Sequence, residues 1–76
     1  LKPDYAEGHY GLGILLHKLA RLDESEACHR RAIKLNPNYA EGYIGLGNVM
    51  KEQGKLDEAV TVWKKAFSIK PNFSEA

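Results

Sequence analysis

The stretch YAEGHYGLG at residues 5–13 returns 34 positions later as YAEGYIGLG at residues 39–47, with seven of its nine letters unchanged. The prolines keep the same spacing, at Pro3, Pro37 and Pro71. When the chain is aligned with itself at this offset, 16 of the 42 residue pairs are identical. A fixed internal period of this length predicts a repeat protein built by stacking copies of one unit.

Each period has the pattern of two amphipathic helices joined by short loops. In the second period one helical face carries residues spaced i, i+3, i+4 and i+7, namely Tyr43, Leu46, Gly47 and Met50. The stripe of its second helix consists of Ala59, Val62, Trp63, Ala66 and Phe67. The first period predicts helices near 6–19 and 23–35. Short loops require antiparallel neighbours, so the predicted fold is all-α, with two antiparallel helical hairpins.

The sequence also predicts how the helices begin and end. Gly54 is placed to end the first helix of the second period in the left-handed conformation, and Ala20 holds the equivalent position in the first period. Asn38 and Glu41 have the spacing of a capping box at a helix start. The same spacing recurs at Asp4 with Glu7 and at Asn72 with Glu75.

Small residues predict close packing inside each hairpin. Gly13 and Gly47 lie on the inner stripe of the first helices, and Ser25 and Ala59 lie on the facing stripe of the second helices. A glycine inside a helix costs about 1 kcal/mol relative to alanine. Repeated glycines at these positions therefore indicate that the two helices approach each other closely.

Composition excludes several classes of function. The 76 residues suffice for one domain at most, and 11 basic against 10 acidic residues give a net charge of +1. This balance argues against nucleic acid or an anionic membrane as the partner, since both favour a basic excess. The single Cys fits a reducing compartment, and a cytoplasmic location is expected.

The titratable residues give little indication of chemistry. Cys28 and His29 are adjacent and point about 100° apart on a helix, so they do not readily share a ligand. A structural zinc site needs four ligands, and a cysteine nucleophile needs an oriented base. Metal binding or catalysis remains an alternative, but the favoured interpretation is that His9, His29 and Cys28 pack between helices. We therefore expect no enzyme activity, no catalytic residue, no metal site and no cofactor.

The period and its motifs resemble the tetratricopeptide repeat (TPR). The resemblance rests on the 34-residue period together with Leu12-Gly13, Leu46-Gly47, Ala32, Ala59, Ala66, Pro37 and Pro71. It implies one TPR domain over 1–76, with repeats at 6–39 and 40–73. Residues 1–5 would end a preceding repeat and residues 74–76 would begin another, so the chain is expected to come from a longer array. His9, His29, Ser25 and Ala20 depart from the family pattern, which makes the first hairpin the less ideal one.

The resemblance implies a right-handed stack of hairpins whose first helices line a concave groove that binds a peptide or partner protein. Helical phasing and the family pattern place twelve residues there: Glu7, Tyr10, Gly11, Ile14, His17, Lys18, Glu41, Ile44, Gly45, Asn48, Lys51 and Glu52. The candidate partner-binding residues among them are Glu7, Tyr10, Ile14, His17, Glu41, Ile44, Asn48 and Lys51. The apolar members indicate a groove floor suited to an extended peptide.

A second candidate surface is the open edge of the stack. Trp63, Ala66, Phe67 and Phe73 are expected to face a following hairpin, as Ala32 and Ile33 are expected to face Gly42 and Leu46 inside the chain. An interface between two different edges need not close, so weak end-to-end self-association is expected.

Three functions remain open from the sequence. The leading one is a non-enzymatic module for protein–protein interaction. The second is the substrate-recognition part of a larger enzyme, such as a protein O-linked glycosyltransferase, whose TPR arrays the second repeat resembles. The third is a self-assembling scaffold.

Overall fold

Four α-helices form the fold: α1 (Ala6–Lys18), α2 (Leu22–Leu35), α3 (Ala40–Glu52) and α4 (Leu56–Ile69). The computed structural model describes residues 5–71, and no residue in that range lies in a β-strand. Hairpin 1 consists of α1 and α2, hairpin 2 of α3 and α4, and the predicted all-α architecture is confirmed. Within the described range, no helix combines the length and the apolar character needed to cross a membrane.

The core is centred on α3, because this helix packs against all three of the others. Leu46 and Met50 of α3 form a buried cluster with Ala59 of α4, and the half-buried side chains of Ile33, Val62 and Trp63 pack against it. In α1, by contrast, only Gly13 and Leu16 are buried. The apolar face of α3 is therefore the one that holds the two hairpins together.

The junction between the hairpins agrees with the sequence prediction. A Cβ atom added to Gly42 would lie 3.1 Å from Cγ1 of Ile33 and 3.9 Å from Cβ of Ala32. Ile33 also packs against the cluster that contains Leu46. Glycine at position 42 thus allows α3 to approach α2 closely.

Both first helices end in the same way. The N–H of Arg21 donates to the carbonyl of Leu16 at 2.9 Å, and the N–H of Lys55 donates to that of Met50 at 2.8 Å. The residue before each donor has a left-handed backbone, with φ of 62° at Ala20 and 83° at Gly54. This is the Schellman arrangement, and the predicted conformation of Gly54 is confirmed.

The predicted capping box at Asn38 is wrong. The N-cap of α3 is Tyr39, and no side chain caps the helix. Asn38 lies one residue too early, in a turn in which the N–H of Tyr39 donates to the carbonyl of Asn36 at 2.9 Å. α1 likewise begins after Tyr5 without a side-chain cap. The corresponding predictions at Asp4 and Asn72 involve residues outside the described range.

Polar side chains also connect the hairpins. Nε2 of Gln53 donates to Oδ1 of Asp23 and Oε1 of Glu26, each at 3.1 Å. Burial by itself raises the pKa of Glu26. The hydrogen bonds from Arg30 and Gln53 and the nearby positive charges outweigh that effect, so the net pKa of Glu26 is lowered. Glu26 is therefore held as a carboxylate between α2 and α3.

Candidate functional site

A cavity of about 460 Å³ opens on the face formed by α1 and α3. This volume lies within the range of ligand pockets in proteins. Its lining combines residues of both first helices with one residue of α2: Tyr10, Ile14, His17, Lys18, His29, Gly45, Asn48 and Glu52. The cavity is therefore shared between the two hairpins.

The structure brings together four of the eight candidate partner-binding residues, because Tyr10, Ile14, His17 and Asn48 all line the cavity. The other four lie outside its lining: Glu7, Glu41, Ile44 and Lys51. The carboxylate of Glu41 lies 3.5 Å from the ammonium of Lys70 on α4. A binding role for any of the eight stays a prediction.

Two glycines admit a side chain from α2 to the floor of the cavity. A Cβ atom on Gly13 of α1 would lie 2.7 Å from Cε1 of His29, and one on Gly45 of α3 would lie 2.5 Å from the same atom. Real Cβ atoms essentially never approach other atoms this closely. Glycine at both positions therefore gives the imidazole the room it occupies where α1 and α3 meet.

His29 is almost completely enclosed, with 1% of its surface exposed. Its Nδ1 atom is buried and has no hydrogen-bond partner. Burial, assisted by the charge of His17, lowers the pKa of His29 from 6.5 to about 4. At neutral pH the imidazole is therefore uncharged, with one N–H donor and one nitrogen acceptor.

The rings of Tyr10 and His29 lie at one end of the cavity, and the ring of Tyr39 lies beside Tyr10 outside the lining. The ring of Tyr10 lies 5.5 Å from that of His29 and 5.5 Å from that of Tyr39, and it meets Tyr39 at 87°. Burial, followed by the charge of Glu41, raises the pKa of Tyr10 and raises that of Tyr39 to about 12. Both phenols are therefore neutral at physiological pH.

The other end of the cavity is polar and charged. His17 and Lys18 come from the last turn of α1, and Glu52 comes from the end of α3. Nε2 of His17 lies 3.9 Å from Oε1 of Glu52. The cavity thus combines an apolar, aromatic end with a charged end, which would orient a ligand that has both characters.

The sequence analysis missed His29 as a cavity residue and assigned it to packing between helices. It does pack there, but its ring also reaches the cavity. The available signal was the pairing of two glycines, Gly13 and Gly45, on different first helices. Recognising it required knowing that both helices face the same residue of α2.

The edge predicted to stack on a further hairpin is only partly available. Phe67 is 41% exposed and Trp63 is half-buried. Ala66 is fully buried in this chain, and its role at a stacking edge stays a prediction. Phe73 lies outside the described residues.

No metal site is found among residues 5–71, since no three or more His, Cys, Asp or Glu side chains in that range are grouped to hold an ion. Cys28 is a half-buried free thiol. Burial, followed by the charge of Glu24, raises the pKa of Cys28 and disfavours the reactive thiolate.

The helical hairpins define a repeat protein of the α-solenoid class, and comparisons with known proteins give its family. Two family models described as tetratricopeptide repeat match the chain, one at residues 6–39 and one at residues 30–61. The chain belongs to the TPR family. A comparison with curated proteins gives no match.

A crystal structure of MamA is similar, with a TM-score of 0.92 and 36% sequence identity. The alignment covers 96% of this chain and 43% of the MamA chain, so the protein described here spans less than half the length of that relative. TPR repeats are typically non-catalytic modules of protein–protein interaction. The repeats therefore support a general role of this chain in protein–protein interaction.

Proposed function

We propose that the face formed by α1 and α3 binds an extended peptide or a segment of a partner protein. The observation that carries the proposal is the cavity of about 460 Å³, lined by residues of both first helices. Its apolar members would bury side chains of the peptide, and its polar rim would bond to the main chain. The repeats at 6–39 and 40–73 would then act together in one site in the cytoplasm.

Two neighbouring residues of α1 provide a matched test. Ile14 lines the cavity and is 36% exposed, whereas Leu15 is 53% exposed and is not part of the lining. Neither side chain is buried in the core, so glutamate at either position should leave the helices intact. Ile14→Glu places a charge in the cavity, and Leu15→Glu places the same charge beside it.

Peptides selected from a random displayed library on the 76-residue chain serve as the probe. We expect Ile14→Glu to weaken the selected peptides at least tenfold and Leu15→Glu to change their affinity less than twofold, as measured by isothermal titration. Failure to select any peptide would contradict the proposal, as would equal sensitivity to both variants. Circular dichroism would verify that both variants keep the helicity of the wild type.

The exposed face of α4 supports self-assembly as a second candidate function. Leu56, Val60 and Phe67 are 59%, 43% and 41% exposed, and their spacing places them on one side of the helix. Another hairpin could cover this face and remove that apolar surface from water. Recognition of substrates for an attached enzyme remains a further alternative. It is compatible with peptide binding at the face formed by α1 and α3.

Sedimentation velocity tests self-assembly directly. We expect weak association of the wild-type chain at high micromolar to millimolar concentration, because the entropy lost on association cancels most of the gain from apolar burial. Phe67→Glu should abolish it, whereas Leu15→Glu on α1 should not. A wild-type chain that remains monomeric at millimolar concentration would contradict this candidate.

A further inference from the structure

The floor of the cavity contains a polar atom that the fold leaves without a partner. Buried nitrogen and oxygen atoms in native proteins are nearly always hydrogen-bonded, so an exception requires an explanation. Nδ1 of His29 is such an exception, in a ring that is 1% exposed and that lines the cavity. The absence of a side chain at Gly13 and Gly45 allows this ring to lie where α1 and α3 meet.

The charge state of His29 restricts what it can bind. Because its pKa is about 4, the neutral imidazole has one donor and one acceptor at pH 7. A half-turn of the ring interchanges nitrogen and carbon positions, so the imidazole can turn a nitrogen toward a bound group. A carboxylate would find no positive charge on this ring, and at the charged end of the cavity it would meet Glu52 as well as Lys18. A neutral hydroxyl, which both donates and accepts, matches either tautomer.

The shape and lining of the cavity favour an aromatic ring behind that hydroxyl. Tyr10 and Ile14 supply apolar surface, and Gly45 supplies a stretch of helix without a side chain. The volume of about 460 Å³ is larger than a serine or threonine side chain fills. An aromatic ring could lie against Tyr10 in an offset or edge-to-face arrangement.

We infer that the cavity binds a tyrosine side chain of the partner peptide, with the tyrosine hydroxyl hydrogen-bonded to His29. This inference rests on the proposed peptide-binding function and adds the identity of one recognised side chain. His29 acts as a specificity residue, because it distinguishes tyrosine from phenylalanine by one hydrogen bond. Gly13 and Gly45 act as positioning residues that allow the imidazole to reach the cavity.

Side-chain analogues test the inference without a partner protein. The probes are p-cresol and toluene, which differ by the hydroxyl, titrated into the 76-residue chain and followed by NMR of the Ile14 methyl groups and the His29 ring nitrogens. We expect p-cresol to bind about fivefold more tightly than toluene, which corresponds to one net hydrogen bond. The signals of the His29 ring should shift with p-cresol and remain nearly unchanged with toluene.

Three variants test which side chain forms the hydrogen bond to the hydroxyl. His29→Leu should reduce the preference for p-cresol to about one, and His29→Gln, which keeps a donor and an acceptor, should restore part of it. His9→Leu is the matched control, since His9 lies on α1 outside the cavity lining, and should keep the fivefold preference. Helicity is measured for each variant, so that a loss of binding is not mistaken for unfolding.

Several outcomes would overturn the inference. These are equal binding of p-cresol and toluene to the wild type, no binding of either, or a preference that survives in His29→Leu. If Ile14→Glu still weakens the selected peptides in any of these cases, peptide binding in the groove stands and only the tyrosine assignment fails. If no peptide is selected and p-cresol still binds through His29, the groove proposal fails and the cavity takes free phenols.

Discussion

The two hairpins have the same helix lengths and the same turns, but they fill their seams with different chemistry. In hairpin 2 the indole of Trp63 packs over Gly47, beside the fully buried Ala59. In hairpin 1 the equivalent ring is that of His29. Ser25, at the position equivalent to Ala59, donates its hydroxyl to the carbonyl of Gly13 at 2.6 Å. One seam is therefore apolar and the other polar.

This difference separates two tasks that a repeat can perform. Hairpin 2 contributes most of the apolar core, since α3 is buried by α1, α2 and α4. Hairpin 1 gives up apolar burial at its seam and gains a polar ring at the floor of the cavity. The less ideal repeat, as judged from the family pattern, is thus the one that equips the candidate site.

The largest expected effect comes from filling the glycine slots. A Cβ atom at Gly47 would overlap the indole of Trp63, so we expect Gly47→Ala to cost about 3 kcal/mol despite the better helix propensity of alanine. Gly13→Ala should cost only about 1 kcal/mol, because the smaller imidazole of His29 borders a cavity into which it can move. Urea denaturation followed by circular dichroism measures both.

Gly11→Ala is the control for these variants, since nothing lies within 4 Å of the added Cβ atom. It should stabilise the chain by about 1 kcal/mol through helix propensity alone. Equal losses for Gly13→Ala and Gly47→Ala would show that the two seams tolerate added volume alike, which would remove the proposed difference between them.

A smaller effect is expected from pH, and only through hairpin 1. The pKa of His29 falls from 6.5 in the unfolded chain to about 4 in the fold, so between these values the unfolded chain binds the extra proton. The contribution of the neutral His29 to the free energy of unfolding is fully present above pH 6.5, and it is lost as the pH falls towards 4. We expect a loss of about 2 kcal/mol between pH 7 and pH 5.

Urea midpoints at a series of pH values measure this loss, and His29→Leu should remove it. Trp63 cannot titrate, so hairpin 2 contributes nothing through the equivalent position. The pKa of Glu26 is lowered below its ordinary value of 4.5. The titration of Glu26 therefore affects stability mainly at more acidic pH than the range from pH 7 to pH 5. A wild-type profile that is flat from pH 7 to pH 5 would mean that the His29 ring is not held in a dry environment.

The smallest effect concerns the two helix ends. Ala20 and Gly54 share a left-handed backbone, which costs a non-glycine residue about 1 kcal/mol. Gly54→Ala should therefore destabilise the chain, and Ala20→Gly should stabilise it by about 0.5 kcal/mol after the greater entropy of the unfolded glycine is subtracted. Shifts of the urea midpoint in the same direction for both variants would contradict this account.

The architecture could be predicted from the sequence because both periods carry the same apolar stripes at the same spacing. The helix start at Asn38 failed for a local reason. A side chain with capping chemistry also forms turns, and here the turn at Asn36 and Pro37 moves the helix start one residue beyond Asn38. The choice between these two uses depends on how the chain crosses from one hairpin to the next.

Helical phasing together with the family pattern was enough to place Ile14 and Asn48 on the face where the cavity lies. His29 escaped because its role depends on the distance between helices from different hairpins. From the sequence, a residue at an inner position of α2 is predicted to be a packing residue. Its contribution to the cavity becomes clear only from the structure, in which Gly13 and Gly45 both lie against its ring. A contact that involves three helices cannot be predicted from the residue pattern of any one of them.

The position of His29 also bears on how the chain unfolds. In linear repeat proteins the free energy separates into a contribution from each repeat and a contribution from each contact between neighbouring repeats. The imidazole belongs to both contributions, since it lies against Gly13 within its own hairpin and against Gly45 of the next. Hairpin 1 therefore cannot unravel alone without uncovering the surface of α3. The His29 side chain thus adds to the contacts that couple the unfolding of the two repeats.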